Sequence, residues 1–432
     1  MICFRLQIMW RLYACCRRNL DFMRVSGLFQ RICTCVFSRK YMRIESKWSQ
    51  GGKKLFAYVW KDRSAKTCAN SIKNDFERLY VMGKRLNYID NLRSITVFLL
   101  VLYHIALAYN SWGEANYIFF ERVNPIASIV VFISPWFMPL MFLLAGVSAS
   151  FSMKKRGVTA FIKERLKRLG IPLIVGIIFI NPILSYVADK SHNGYEGNYF
   201  EHYLVYFTRF TDLTGYDGGF TLGHFWFIAV LILISCVSCG IVVLFNHIGK
   251  DDKKRDILNI VVFALLAIAL FDVSFFGKRI PTYLCVYLIG YYLVTADRII
   301  KRIIKLKWFL VGGWIIASVV NILLFVYIEQ YELLNTICNY LAFSFGIPAL
   351  FCLAHEYLDF SNSVSQSASR LSYVFYSTHF PIAILCQYLI SMTGVNCILN
   401  FIISLIIAYP VTIISCWLID KLKFLRVIFG LK

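Results

Sequence analysis

Charged side chains are scarce in this chain: Asp, Glu, Lys and Arg make up 16% of its 432 residues, against about 25% in soluble domains. It also lacks internal repeats, low-complexity tracts and a signal-peptide cleavage pattern near its start. In their place stand a hydrophobic fraction of 59% and a mean hydropathy of +0.62. That balance excludes an ordinary soluble enzyme and demands a membrane as solvent for most of the chain.

Acidic residues are the scarcer charge, 24 against 46 Lys and Arg, for a net charge of +22. Such an excess suggests a nucleic-acid partner until it is mapped. Residues 1–87 hold 19 basic and 5 acidic side chains, and basic clusters beside membrane spans are expected at a cytoplasmic, anionic lipid surface. No nucleic acid is needed to explain them. Disulfide patterning is absent too, although there are 14 cysteines. Six of them (Cys3, Cys15, Cys16, Cys33, Cys35, Cys68) lie in the basic segment and the others mostly inside apolar runs. Cys236 and Cys239 have redox or zinc-like spacing without a second pair, so they read as core cysteines and no metal site is expected.

The apolar runs predict an all-α, polytopic membrane bundle of about ten transmembrane helices. Their expected positions are 94–112, 128–152, 170–188, 225–247, 257–276, 280–296, 308–328, 336–354, 371–391 and 397–418. With both termini cytoplasmic, the inner connections and tail carry 21 Lys or Arg and the outer connections 5, the asymmetry expected of a multi-pass inner-membrane protein. Three segments follow: a basic cytoplasmic extension over 1–85, expected to be poorly ordered, with Met82 as an alternative start; a membrane domain over 86–420; and a short basic tail over 421–432. The longest connection, roughly 189–224, is rich in Tyr, Gly and acid. It reads either as a lid for an acceptor or as a solvated connector.

A few polar residues interrupt the apolar runs. Arg93 opens the first span, next to Asp90 and Asn91 as candidate helix caps, and His104 follows eleven residues later. Eleven steps of a helix make about three turns, so Arg93 and His104 share one face, about 16 Å apart along the axis. Arg93 then lies near the headgroups and His104 deep in the hydrocarbon, where an ionisable group is costly and usually faces a polar partner. A histidine there can accept a hydroxyl proton near neutral pH; it can equally be a neutral ring bridging two helices. Arg165 and Arg168 lie at i and i+3 in an inner basic run and could present two guanidinium forks to phosphates, although positive-inside topology alone explains such a run. His379, nine residues beyond Arg370, reaches a depth comparable to His104. His224 opens the fourth span within Gly223-His224-Phe225-Trp226-Phe227, which reads as an aromatic belt.

Five stretches together resemble the type-3 membrane acyltransferases, bacterial enzymes that O-acetylate or O-succinylate surface polysaccharides. They are Ile89-Asp90-Asn91-Leu92-Arg93 with His104; Pro139 to Gly146; Arg165 and Arg168 followed by Leu169-Gly170-Ile171-Pro172; Gly223 to Phe227; and Tyr376-Ser377-Thr378-His379-Phe380-Pro381. The tone of the second and fourth is similar to that of glucan-modifying succinyltransferases, and Ala145-Gly146 stands where Ser-Gly is usual. The resemblance implies that Arg93 and His104 belong to the active site, that His379 lies on the family's late histidine helix, and that Arg165 and Arg168 engage a cytosolic acyl-CoA, acetyl or succinyl, as donor substrate. No bound cofactor is expected. The acceptor would be a hydroxyl of an extracytoplasmic glycan or lipid-linked sugar. A transporter using the buried histidines is the alternative, against which stands the lack of inverted repeats.

Overall fold

A computed structural model describes residues 42–48, 54–60, 86–114, 116–248, 252–293 and 297–431. The chain divides into two compact units, Met1–Arg85 and Leu86–Lys432. In the first, strands β1 (Met42–Trp48) and β2 (Lys54–Trp60) pair antiparallel, with Met42 opposite Trp60 and Trp48 opposite Lys54. The remainder of that unit, and with it the expectation of a poorly ordered arm, lies outside the described residues.

The second unit is helical among its described residues. In chain order its helices are α1 (Asn87–Leu107), α2 (Asn124–Arg156), α3 (Val158–His192), α4 (Tyr199–Thr208), α5 (Trp226–Ile248), α6 (Asp252–Ala269), α7 (Ile280–Leu293), α8 (Asp297–Lys305), α9 (Lys307–Ile328), α10 (Glu332–Tyr357), α11 (Ser363–Ser391), α12 (Cys397–Lys421) and α13 (Lys423–Ile428). Eight helices among the described residues are long and apolar enough to cross a membrane: α1, α2, α3, α5, α9, α10, α11 and α12. The fifth and sixth expected spans appear as shorter apolar helices, Ile257–Ala269 and Ile280–Leu293. Fourteen residues of α7 reach only about 21 Å, short of a ~30 Å hydrocarbon core. Ten of its fourteen residues are buried, including Tyr283, Tyr287 and Tyr291, and the other four are half-buried, so it is packed mainly against protein.

Helix α2 is the axis of the bundle, packing against α1, α7, α9 and α10, while α11 packs against α1, α3 and α12. Glycine lets α2 and α7 touch backbone to backbone. A Cβ on Gly146 would lie 1.9 Å from the Tyr287 carbonyl oxygen, and one on Gly290 2.2 Å from that of Leu143. This is the small-residue contact that membrane helices use in place of a hydrophobic driving force, and it gives the Pro139 to Gly146 stretch a structural reason.

Two local expectations change. Neither Asp90 nor Asn91 caps α1: the helix starts at Asn87 without a side-chain cap. Buried Asn91 instead donates to the carbonyls of Leu358 (2.7 Å) and Phe360 (2.9 Å) beyond the end of α10, which would otherwise go unsatisfied. Helix α1 also stops at Leu107, because Asn110 turns back to bond the Leu107 carbonyl at 3.1 Å and the Glu114 carbonyl at 2.8 Å. His104 therefore lies in the last turn of α1, whereas the sequence places it mid-span.

Candidate active site

The polar residues picked out by the sequence form two groups, one at each side of Tyr376. The first is a cavity of about 340 Å³ whose lining includes Arg93, Arg156, Arg165, Arg168 and Arg370, with Glu164 as its acidic residue. Local folding brings these arginines together. Gly157, at φ 81°, closes α2 by bonding back to Met153, a backbone angle that only glycine takes without strain. The chain then reverses into α3, whose first turns carry Glu164, Arg165 and Arg168. Residues Leu166–Gly170 run as a π-helix, and both arginines still line the cavity.

Each guanidinium is held differently. Arg93 donates to Ser148 Oγ at 2.6 Å and approaches the Leu144 carbonyl at 3.4 Å. Glu164 pairs with Arg156 and, at 3.4 Å, with Arg168. Arg370 makes a bidentate pair with Asp420 at 2.5 and 2.7 Å. Arg165 sits over the ring of Phe161 at 5.1 Å and has no carboxylate partner among the described residues. Asp420 and Asp90, 3.4 Å from Arg93, offset part of this charge, yet five guanidinium groups lining a cavity with Glu164 leave a cationic excess suited to a polyanion. Phe429, Gly430 and Leu431, which the sequence marks only as a tail, complete the lining after α13.

The second group is a cluster of three histidine rings. His379 lies 5.3 Å from both His104 and His224, centroid to centroid, and the Phe380 ring lies tilted against His104 at 4.0 Å. His379 and His224 are 0% and 4% exposed, so their hydrogen bonds determine which nitrogen carries the proton. His379 Nδ1 faces the Tyr376 carbonyl at 2.6 Å and the Phe375 carbonyl at 3.2 Å. Since a carbonyl can only accept, Nδ1–H is the donor, and the neutral ring leaves a bare lone pair on Nε2. By the same argument His224 donates Nε2–H to the Ser377 carbonyl at 3.1 Å and leaves Nδ1 bare. Those two nitrogens, and Nδ1 of His104, are buried without a hydrogen-bond partner among the described residues. Buried polar atoms are nearly always paired, so two bare acceptors and a third unpaired ring nitrogen in one cluster mark a place where a polar group can dock.

Tyr376 joins the groups. It lines the cavity, lies 5.4 Å from His224 and 5.9 Å from His379 by ring centroid, and donates its hydroxyl to the His224 carbonyl. On the far side the cluster is roofed by Tyr117, whose ring lies 5.5 Å from Phe380 and whose hydroxyl bonds the Thr214 carbonyl at 2.7 Å. The connection between α3 and α5 is thereby tied, through Tyr117, to the Phe380 ring that lies against His104.

Of the residues expected at the site, the structure brings His104 and His379 together and brings Arg93, Arg165 and Arg168 together. It does not put Arg93 in the histidine cluster, although Arg93 and His104 share helix α1. His224, read from sequence as part of an aromatic belt, is the third ring of the cluster. Its signal was the Gly223 to Phe227 stretch, but the contact that matters comes from Ser377 and Tyr376, more than 150 positions away. Among the described residues no group of three or more His, Cys, Asp or Glu side chains could hold a metal ion.

The family model described as "Acyltransferase domain", of the acyltransferase-3 type, matches residues 86–421. Glucans biosynthesis protein C of Salmonella paratyphi A is 23% identical over 249 residues, covering 55% of this chain and 59% of that protein. The protein of the same name from Salmonella heidelberg is 24% identical over 184 residues, covering 40% and 44%. The alignments thus span about half the length of these relatives. No solved structure matches. The chain, a multi-pass membrane protein over its helical unit, belongs to the acyltransferase-3 family.

Proposed function

We propose that this protein is a membrane O-acyltransferase that moves an acetyl or succinyl group from cytosolic acyl-CoA to a hydroxyl of an extracytoplasmic glycan or lipid-linked sugar. The observation that carries the reading is the adjacency of a five-arginine cavity to a cluster of histidines with bare ring nitrogens, with Tyr376 touching both. Phosphates of the donor pair with Arg165 and Arg168, assisted by Arg156 and Arg370. Arg93, held on Ser148, faces the same space and orients the donor toward the cluster. The name of the Salmonella relatives, with "glucans" in it, supports a carbohydrate acceptor.

Chemically, the acceptor oxygen attacks the thioester carbonyl while a histidine takes its proton; the carbon–sulfur bond then breaks and the CoA thiolate takes up that proton. His104 is the base in this scheme. His379, fixed by its backbone acceptors so that Nε2 is bare, receives or relays the proton beside it. The basic inner connections favour donor entry from the cytoplasm, with the acceptor arriving beneath the roof formed by Tyr117 and residues 211–222.

The test is transfer of label from radioactive acetyl-CoA and succinyl-CoA to envelope carbohydrate in membranes containing the protein. Label from one donor, absent with His104→Ala at equal expression, is the expected result. No label from either donor across several acceptor preparations, with the wild type correctly folded, contradicts the proposal.

A further inference from the structure

The connection between α3 and α5 contains a feature that acyl transfer does not use. Helix α4 buries His202 and Tyr206 against the protein and turns Phe200 and Leu204 outward; exposed Glu201, in its first turn, reaches back to accept from the Asn198 N–H at 3.1 Å. Phe200 is 83% exposed, Leu204 70% and, just past the helix, Phe210 60%. Phe200 and Leu204 are one turn apart, with Phe207 on the same side. The hydroxyl of Thr208, also on that side, is spent on the Leu204 carbonyl at 2.9 Å. This is the reverse of a water-facing surface helix.

Two further observations say what covers the face. Tyr203 donates to the Ile178 carbonyl at 2.9 Å, and Tyr206 reaches the Ile177 carbonyl at 3.0 Å. Both acceptors lie in the π-helical stretch Gly176–Ile180 of α3, inside a segment apolar enough to cross a membrane. Helix α4 is thus stitched onto a span at carbonyls that lipid cannot satisfy. Beside it α3 exposes Ile174 and Phe179, so the apolar face of α4 continues the surface of a membrane helix. At the other edge Tyr186 meets Tyr199 (ring centroids 5.5 Å apart), and Lys190 lies over Tyr186 and Tyr195. Clustered tyrosines with a snorkelling lysine mark headgroup level.

We infer that α4 is an interfacial helix lying within one leaflet, with Phe200, Leu204 and Phe207 among the acyl chains, and that its partner is the bilayer. It is neither a solvated connector nor a free-swinging lid. The segment leads through Thr221, whose carbonyl accepts from Asn181 at 3.0 Å, directly to His224, so contact with lipid steadies the roof over the histidines.

For the test, full-length protein is reconstituted in phosphatidylcholine vesicles with an environment-sensitive fluorescent amino acid in place of Phe200, Leu204 or, as a water-facing control, exposed Glu196. Doxyl-labelled lipid should quench the probes at 200 and 204 several-fold more than aqueous iodide does, with the order reversed at 196. Stronger quenching by iodide at 200 and 204 overturns the inference in favour of an aqueous lid. Protection from both quenchers overturns it in favour of a protein cover such as a second copy of the chain.

Discussion

In the proposed mechanism His379 is prepared for proton transfer without a carboxylate partner. Its Nδ1–H is committed to the Tyr376 carbonyl at 2.6 Å, which orients the ring and leaves Nε2 toward the cluster, the part a buried aspartate plays in a catalytic triad. His379→Ala should lower kcat by about 10²–10⁴-fold, the usual contribution of a positioned acid or base, and leave donor binding intact, because the cavity lining does not include this residue. Among the described residues Arg165 has no carboxylate partner, so Arg165→Ala should weaken donor binding by about 1.5–3 kcal/mol, the range for a hydrogen bond to a charged group, read as a raised KM for acyl-CoA. Arg370, bound to Asp420 at both nitrogens, should matter less in the same assay.

At the scale of elements, the α2–α7 contact and the α4 helix carry separate predictions. Gly146→Val places a side chain against the Tyr287 backbone, which cannot swing aside, so destabilisation should meet or exceed the ~1–3 kcal/mol typical of overpacking. A lowered Tm in detergent and a loss of monodisperse protein would show it. In α4, His202 bonds Asp189 at 3.1 Å, with Arg209, Tyr186 and Tyr195 around the pair. Burial pushes the His202 imidazole below its ordinary value, while Asp189 pulls it the other way. The neutral ring is the form that folding favours. Its stabilisation is therefore complete above about pH 6.5, the unperturbed value for histidine, and is lost as pH falls through the lower folded value. Limited proteolysis between residues 193 and 222 should accelerate from pH 7 to pH 5, and His202→Gln should flatten that dependence.

For the molecule as a whole, the parts legible in the sequence are those written in hydropathy and spacing. Eight spanning helices follow from apolar runs, and a comparable depth for His104 and His379 follows from spacing, but their nearness rests on the packing of α1 against α11. What was not legible depends on tertiary contact. His224 sits in an aromatic stretch that any membrane interface would explain, and only the Ser377 carbonyl reveals its orientation. Asn91 looks like a cap because caps are local, yet it serves carbonyls from the end of a helix more than 260 residues away. The lining role of Phe429 to Leu431 was hidden for the same reason: a short basic tail has no periodicity to say where it folds back.

The central claim is a division of labour, with donor binding in the arginine cavity and chemistry in the histidine cluster. Steady-state kinetics with varied acyl-CoA, for wild type, an Arg165→Ala/Arg168→Ala double variant and His379→Ala in the same reconstituted membranes, tests it most directly. The account predicts a raised donor KM with kcat largely kept in the arginine variant, and a collapsed kcat with donor KM unchanged in the histidine variant. Wild-type kcat in His379→Ala, or an unchanged donor KM in the arginine variant, would contradict it.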